Sequence, residues 1–305
     1  GSAYAVAAMN GTAALHIALM LSGVNRDDEV ITQPLTFIAT ANAISYTGAH
    51  PVFVDVDRDA MGLSPSALEN WLNENAELTI PSDSTPHQPI ASGQWLTAKN
   101  QLPIANCQHP IPINKSTRRR ISAVVPMHTF GHPVKMDELL AVCKKWNLPC
   151  IEDAAESLGS FYKTKHTGTL GKFGILSFNG NKIATCGGGG MILTNDETLA
   201  RLAKHLTTQA KVPHAWEFVH DHIGYNYRLT NISAALGCAQ IEKMDFFVQE
   251  KRKLAALYKD FFISSEFDFF CEPDGCKSNY WLNVIRAKDR SQRDEILKRT
   301  NAAGV

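Results

Sequence analysis

The stretch "ILSFNGNKIATCGGGGMIL", residues 175–193, places a single lysine, Lys182, between two apolar runs that are typical of strands. The first run ends in Ser177, and four consecutive glycines precede the second. A lysine in an ordinary hairpin turn is a solvated surface charge. A lysine held among strand ends can instead form a Schiff base, because its amine condenses with aldehydes. The rest of the chain decides between these two interpretations.

The composition is that of an ordinary globular protein without an excess of charge. The 305 residues are 44% hydrophobic and contain 30 Lys and Arg against 30 Asp and Glu, so the formal net charge is zero. This balance gives no indication of nucleic acid or of a membrane surface as partner. No apolar run reaches the roughly 18 residues that a spanning helix needs. The seven cysteines are scattered without a Cys-x-x-Cys pair, which favours reduced thiols in a cytoplasmic protein.

Two closely spaced histidine pairs are candidates for metal ligands. "HDH" places His220 and His222 two residues apart, and "HTFGH" places His128 and His132 four apart. Neither pair has a nearby set of cysteines or carboxylates that resembles a known metal site. Structural or solvent-exposed roles are therefore favoured, and no metal is predicted.

Strand-like runs alternate with helical patterns over most of the chain. "AYAVAAM", "EVIT", "PVFVDVD" and "ISAVVPM" are each followed by an amphipathic or apolar helical segment, and "LPCIED" follows the last of these helices. This alternation predicts a parallel α/β sheet covered by helices. Residues 74–120, rich in Pro, Ser, Asn and Gln, interrupt the rhythm and indicate a long excursion. From about residue 196 the pattern is helical, "YWLNVIRA" (residues 280–287) is strand-like, and a small α/β subdomain begins near residue 250.

Three features carry candidate chemistry. In "NGTAALH", Gly11 and Thr12 lie where a strand turns into a helix, and such a helix N-terminus favours an anion; the alternative is a plain turn and N-cap. In "CIEDAAES", Asp153 ends an apolar strand, at the edge where open α/β sheets bind ligands; the alternative is an N-cap. Ser177 and Lys182 offer a hydroxyl and an amine. No P-loop spacing is present. Together these are the parts of a pyridoxal phosphate site: a lysine for the aldehyde, an acid for the pyridinium nitrogen, and donors for the phosphate.

Seven segments give the chain its resemblance to a known family. They are "NGTAALHIAL", "PLTFIATANAI", "PVFVDVD", "PMHTFGHPVKMDEL", "IEDAAESLGS", "LSFNGNKIATCGGGGMI" and "GYNYRLTNISAALGCAQI". In this order they resemble the DegT/DnrJ/StrS family of pyridoxal phosphate-dependent sugar aminotransferases. The resemblance implies the fold-type I, aspartate aminotransferase-like architecture, with a mixed, mostly parallel seven-stranded sheet and helices on both faces. The excursion at 74–120 is similar to the insertion of LegC-like members, which aminate nucleotide-linked 4-keto-6-deoxy-hexosamines.

The resemblance also implies a role for individual residues. Lys182 would be the Schiff-base lysine and proton shuttle, and Asp153 the partner of the pyridine nitrogen. Glu156 stands where the family has Gln or a similar group near the phenolic oxygen, and Phe37 where an aromatic ring stacks on the pyridine. Phosphate contacts are implied for Gly11, Thr12, Ala13 and Ser177. Asn226 would reach the cofactor phosphate of the neighbouring subunit, which implies a homodimer with shared sites. Two further residues, His128 and Arg228, are weaker candidates for contact with substrate.

The function implied is transfer of an amino group, with glutamate as donor, to a UDP- or GDP-linked 4-keto-6-deoxy-hexosamine in surface glycan or nonulosonate biosynthesis. Two alternatives stay open: a sugar dehydratase or deoxygenase of the same family, which typically has histidine at the position of Lys182, and a non-catalytic regulator with this fold. The expected domains are residues 1–249, which bind the cofactor, and 250–305, part of a small C-terminal domain. The chain is expected to begin inside the large domain and to end before the small one is complete.

The four glycines from Gly187 to Gly190 suggest a hypothesis of their own. An apolar strand resumes directly after them, so a flexible linker is a poor interpretation. We expect backbone packed so close to the active site or a partner subunit that a Cβ would clash, with Gly188 as the position to test.

Overall fold

A computed structural model describes residues 1–80 and 110–305 of the chain. The strands are β1 (Tyr4–Ala8), β2 (Glu29–Thr32), β3 (His50–Phe53), β4 (Ala76–Thr79), β5 (Ile111–Asn114), β6 (Ile121–Val125), β7 (Ile151–Asp153), β8 (Phe161–Tyr162), β9 (Lys165–His166), β10 (Phe173–Ser177), β11 (Gly190–Thr194), β12 (Asp268–Phe269), β13 (Cys276–Lys277) and β14 (Ile285–Arg286). The α-helices are α1 (Gly11–Leu21), α2 (Ile38–Tyr46), α3 (Pro65–Asn75), α4 (Met136–Lys145), α5 (Glu197–Thr207), α6 (Asn231–Ile241), α7 (Met244–Phe262) and α8 (Arg290–Ala302).

Seven strands form the central sheet, in the order β3-β2-β6-β7-β10-β11-β1. The pairs β3–β2, β2–β6 and β7–β10 are parallel, and single parallel bridges between Val124 and Cys150 and between Met127 and Asp153 join β6 to β7. Only β11 runs against the others, since it is antiparallel to both β10 and β1. The mixed, mostly parallel sheet predicted from the sequence is therefore confirmed. Lys182 lies in the connection between β10 and β11, where the chain reverses direction.

Helices cover both faces of this sheet. One apolar cluster contains the buried side of α1 and α5 with residues of β1, β10 and β11, and a second contains α3 and α4 with residues of β6. Helix α1 is buried along nearly its whole length because its apolar residues occupy every side of the helix. Helix α3 begins as its sequence indicates, with the Ser64 hydroxyl accepting a hydrogen bond from the amide of Ala67 and proline at the first helical position. These two layers fix the strand ends that build the site.

The C-terminal part of the chain packs on the preceding residues through short strands. Strand β13 pairs with β8, and β12 pairs with β14 beside the aromatic cluster of Phe269 and Tyr280. The strand predicted for residues 280–287 was wrong over its first half: Tyr280 has a positive φ of 48°, and only Ile285–Arg286 is extended and paired. The predicted domain boundary at 249/250 falls inside α7 and stays a prediction.

The predicted insertion at 74–120 is described only at its two ends. Strands β4 and β5 pair antiparallel, from Ala76 opposite Asn114 to Thr79 opposite Ile111. The excursion therefore leaves and returns through a two-stranded ribbon, and its central residues 81–109 lie outside the described residues. Among the helices of the described chain, none combines the length and the apolar character required to cross a membrane.

Candidate active site

Lys182 lies in the β10–β11 connection with its ammonium directed into the protein. Its side chain is only 10% exposed, and its Nζ lies 3.5 Å from Oε1 of Glu156. On another side Nζ lies 3.9 Å from the centre of the Trp281 ring, a cation–π distance. The indole N–H of Trp281 in turn donates to the carbonyl of Asn181 at 2.7 Å, next to the lysine in the chain. This lysine is therefore a held, largely buried amine and not a solvated turn residue.

Asp153 is the last residue of β7, at the carboxyl edge of the parallel strands. The residue is 5% exposed, and its carboxylate accepts a hydrogen bond of 2.7 Å from the hydroxyl of Thr40 in α2. The backbone amide of Ala155 donates to the other carboxylate oxygen at 3.2 Å. These two hydrogen bonds hold the carboxylate in place at the wall of the cavity beside it.

The N-terminus of α1 faces the end of β10. Helix α1 begins at Gly11, and a Cβ on Gly11 would stand 3.1 Å from the Cβ and 3.4 Å from the hydroxyl of Ser177. Glycine therefore keeps open a narrow cradle between the first helical amides, of Gly11 and Thr12, and the serine hydroxyl. Such amides and the positive end of the helix dipole are suited to a phosphate group.

Ala13 is a correction to the predicted phosphate contacts. Its amide donates to Oδ1 of Asn10 at 2.7 Å, because Asn10 is the N-cap residue of α1. The third amide of the helix is therefore occupied by the protein itself, and Ala13 does not line the cavity. Gly11, Thr12 and Ser177 stay as the proposed phosphate contacts.

One cavity of about 290 Å³ joins these groups. This volume is at the lower end of the roughly 300–1,000 Å³ typical of small-molecule sites. Its lining contains the lysine, the carboxylate and the helix N-terminus together with Phe37. The lining residues are Asn10, Gly11, Thr12, Leu15, Phe37, Ala39, Thr40, Met127, Asp153, Ala155, Ser177, Asn179, Asn181, Lys182 and Trp281. An aldehyde-reactive amine, an anion for a ring nitrogen and a phosphate cradle in one cavity fit pyridoxal phosphate.

Glu156 lies beside the lysine, and its carboxyl has a raised pKa. Burial raises the pKa of its carboxyl from the ordinary 4.5 to about 7, a rise opposed by the Lys182 ammonium and the Phe130 amide and reinforced by the charge of Asp153. The Phe130 amide donates to Oε2 at 2.8 Å. Near neutral pH both protonation states of Glu156 are therefore populated, next to the Lys182 amine.

This carboxyl gives a pH-dependent prediction for the protein without cofactor. Because its pKa is raised on folding, the folded protein keeps a proton that the unfolded chain releases, so stability falls as pH rises from about 4.5 towards 7. The contribution of this group is at most about 3 kcal/mol. Glu156→Gln should remove that slope, measured by urea unfolding at a series of pH values. Parallel stability curves for the two proteins would contradict the assignment.

Asn226 and Arg228 lie apart from the cavity, on the segment that leads into α6. Both are exposed, and neither lines the cavity of its own chain. The segment is fixed by backbone contacts, including a bridge between Asn226 and Thr208 and a hydrogen bond from the Met9 amide to the Tyr227 carbonyl. An exposed, well-supported Asn226 is compatible with a contact to another subunit, which stays a proposal.

His128 is placed differently from the prediction. Its ring is fully buried, with Nε2 3.1 Å from Oε2 of Glu152 and Nδ1 accepting from the amide of Val134. The Glu152 carboxylate also accepts the amides of Gly168, Leu170 and Gly171. His128 thus belongs to a buried network behind the site, and with both nitrogens engaged it has no atom left for a substrate.

Among the lining residues that were not predicted from the sequence, Thr40 and Trp281 contact the acid and the lysine directly. Thr40 lies in α2, three residues after Phe37, and its hydroxyl donates to Asp153. The two residues are remote in the chain, so the pattern of either segment alone does not predict this contact. Trp281 is about 100 residues from Lys182, and its ring is placed by the Asn279 side chain, which donates to the carbonyl of Glu156 and accepts from the Trp281 amide. The strand-like pattern of residues 280–287 concealed this turn.

Known proteins show the same arrangement of sequence and fold. A sequence model of the DegT/DnrJ/EryC1/StrS aminotransferase family matches residues 1–85 and 106–305, leaving out part of the predicted insertion. The chain is 37% identical over 293 residues to the GDP-perosamine synthase of Escherichia coli O157:H7, covering 96% of this chain and 68% of that protein. It is 38% identical over 299 residues to the "Putative pyridoxal phosphate-dependent aminotransferase EpsN" of Bacillus subtilis, covering 97% and 66%.

A solved structure agrees with these relatives. A DegT/DnrJ/EryC1/StrS aminotransferase from Brucella abortus superposes with a TM-score of 0.80 at 26% identity, over 100% of this chain and 70% of that one. The chain spans about two thirds of the length of the two relatives. The matches to the family model and to these relatives show that the chain belongs to the DegT/DnrJ/EryC1/StrS family of aminotransferases, and its cofactor is pyridoxal phosphate.

Proposed function

We propose that the protein transfers an amino group from an amino acid, with glutamate as the donor, to the keto carbon of a nucleotide-linked 4-keto-6-deoxy sugar. The observation that carries this proposal is the shared cavity of Lys182, Asp153 and the N-terminus of α1. The GDP-perosamine synthases among the relatives are named for a GDP-linked amino sugar, which supports GDP over UDP as the nucleotide. The LegC-like subgroup and the hexosamine stay predictions.

The residues of the chain divide the work of the reaction. When bound, pyridoxal phosphate supplies an electron sink for the carbon that loses its proton. Asp153, oriented by the Thr40 hydroxyl and the Ala155 amide, would pair with the ring nitrogen of the cofactor and favour its protonated form. Lys182 would hold the cofactor through its amine and carry a proton at its Nζ, for which it must be neutral. Glu156, 3.5 Å from Nζ, is placed to take or return that proton.

Two other functions compete with this one. In a dehydratase or deoxygenase of the family the position of Lys182 typically holds histidine, so the lysine in this chain favours amino transfer. In a non-catalytic protein with this fold, selection would not need the acid, the lysine and the cradle together. Here all three lie in one cavity, which favours an enzyme.

A panel of substrates tests the function directly. The purified protein with pyridoxal phosphate and isotope-labelled glutamate would be offered GDP- and UDP-linked 4-keto and 3-keto sugars, with products identified by mass spectrometry. Labelled nitrogen in one sugar product is expected. Loss of a sugar hydroxyl without nitrogen would indicate a dehydratase, and a cofactor spectrum unchanged by glutamate would indicate a non-catalytic protein.

As part of the same proposal, the protein forms a homodimer with shared sites. Helix α6 has no buried residue although its sequence is largely apolar, and Ile232 on it is 86% exposed. Phe37 and Ile38 at the start of α2 are 65% and 62% exposed. Exposed apolar side chains of this size are more typical of an interface than of a free surface. Sedimentation equilibrium should give a dimer, which Ile232→Asp should shift towards monomer; a monomeric parent protein would contradict the proposal.

The location of the reaction is also a proposal. We place it in the cytoplasm, supported by the cysteines in the described ranges, which are all free thiols.

A further inference from the structure

A cluster of metal-ligating side chains lies outside the cavity, at the C-terminal end of α5. His205, in the last turn of α5, has Nε2 2.5 Å from Oδ1 of Asp221. Nδ1 of His222 lies 2.9 Å from the same oxygen. The three ligand atoms all lie within 4.8 Å of one another, and in residues 1–80 and 110–305 no other group of three or more His, Cys, Asp or Glu side chains converges in this way.

The position of the cluster suits a cation. The side chains of His205 and Asp221 are each 22% exposed and that of His222 is 3% exposed, so an ion could enter from solvent and keep a water ligand. The last turn of a helix carries the negative end of its dipole, which favours positive charge. Two imidazoles and one carboxylate are the ligand set that zinc takes in sites with an open fourth position. With metal–ligand bonds of about 2.0–2.1 Å, tetrahedral ligand atoms stand roughly 3.3 Å apart, so small side-chain rotations suffice.

We propose that His205, Asp221 and His222 bind one divalent transition-metal ion, with zinc as the ion of best chemical fit. This proposal departs from the sequence analysis, which favoured structural roles for "HDH": Asp221 and His222 of that stretch belong to the cluster, and His220 does not. His220 points away, with Nδ1 2.7 Å from the carbonyl of Gln209, and the second imidazole comes instead from a helix about 16 residues earlier. This site is separate from the cofactor cavity and does not rest on the proposed reaction.

The ion would act as a structural clip at the base of the loop formed by residues 208–226. The two arms of this loop are joined by the amide of Asp221, which donates to the Ala210 carbonyl, and by a bridge between Lys211 and His220. The tip carries Trp216 and Phe218, which are 77% and 79% exposed. A metal joining the end of α5 to the returning arm would hold both the tip and the adjacent Asn226 in place.

Metal titration of the holoenzyme tests this proposal. After treatment with a chelator, the protein would be titrated with Zn²⁺ by calorimetry and with Co²⁺ by absorption spectroscopy. One equivalent should bind, and the Co²⁺ spectrum should show weak ligand-field bands without the intense thiolate charge-transfer band that cysteine ligands produce. Binding of Zn²⁺ should also raise the melting temperature in proportion to saturation.

Variants separate the metal site from a merely hydrogen-bonded cluster. His205→Ala and Asp221→Asn should each weaken Zn²⁺ binding by at least about tenfold, and His220→Ala should leave it unchanged. Melting temperatures without metal show whether each variant is folded. His222→Gln removes the third ligand conservatively and should weaken Zn²⁺ binding in the same way. Absence of saturable binding, binding that survives His205→Ala, or binding that is lost in folded His220→Ala would each overturn the proposal.

Discussion

Replacing Lys182 with alanine will abolish amino transfer and the near-visible absorbance band of lysine-bound pyridoxal phosphate. The amine lies in the cavity with Asp153 and the cradle at Gly11, so it is the group that can hold the cofactor covalently. In the proposed reaction it is also the base that moves the substrate proton, and loss of such a group alone slows reactions by about 10²–10⁴-fold. We therefore expect kcat to fall by about 10³-fold or more, measured with glutamate and the accepted keto sugar.

Lys182→Arg separates the charge of the lysine from its chemistry. The guanidinium keeps a cation near Glu156 and the Trp281 ring, but it does not form a Schiff base and stays protonated. The band and the activity should be lost in this variant as in Lys182→Ala, while its stability should stay closer to that of the parent. Persistence of the absorbance band in folded Lys182→Ala would show that another residue holds the cofactor.

Gly190→Ala will cause the largest loss of stability among the substitutions considered. A Cβ at this position would lie 2.4 Å from the carbonyl carbon and oxygen of Asn10 and 2.7 Å from the amide nitrogen of Gly11. These are backbone atoms at the start of α1, so no side-chain rotation relieves the overlap. We expect a loss of about 3 kcal/mol in the free energy of unfolding, at the upper end of the usual cost of overpacking. Cofactor affinity should fall as well, because the atoms that must move belong to the start of α1, which forms the proposed phosphate cradle with Ser177.

Gly188→Ala is the matched control for this prediction. Its Cβ would meet only the carbonyl of Met9, at 3.7 Å, an ordinary contact. Loss of chain entropy in the unfolded state should then leave stability unchanged or raise it by about 0.5 kcal/mol. Urea unfolding and pyridoxal phosphate titration of both variants provide the comparison. Equal destabilisation by the two substitutions would refute the steric argument.

Within the chain, the predicted crowding is found at Gly189 and Gly190, and crowding of Gly187 and Gly188 by a partner subunit stays a prediction. Gly189 and Gly190 have neighbours within 3 Å of an added Cβ, and Gly187 has a positive φ of 80° in open space. Gly188, the position chosen for the test from the sequence, shows neither constraint. A run of identical glycines does not indicate which of them is required by close packing, which by a positive φ and which by neither. These requirements depend on the residues that the fold packs against each glycine.

The order of the helices and strands could be predicted from the sequence because it depends on local periodicity. The apolar runs that end in Asp153 and Ser177 are strands, and the alternating pattern predicted the layers on both faces of the sheet. Since parallel strands bring their carboxyl ends to one edge, Asp153 and the turn at Gly11 could be placed near Lys182 before any coordinates were known. The antiparallel β11 and the turn at Tyr280 were not accessible in this way.

The sequence by itself determined the layered α/β fold, the lysine, the acid and the phosphate cradle, since each is marked by its own local pattern or by the resemblance of its segment to a family. Only the tertiary structure decided which long-range neighbours these groups have. It placed Trp281 over Lys182 and Thr40 on Asp153, it removed His128 from the site, and it joined His205 to Asp221 and His222. The physical reason is that burial and side-chain contact depend on packing between segments remote in the chain, which no local pattern records.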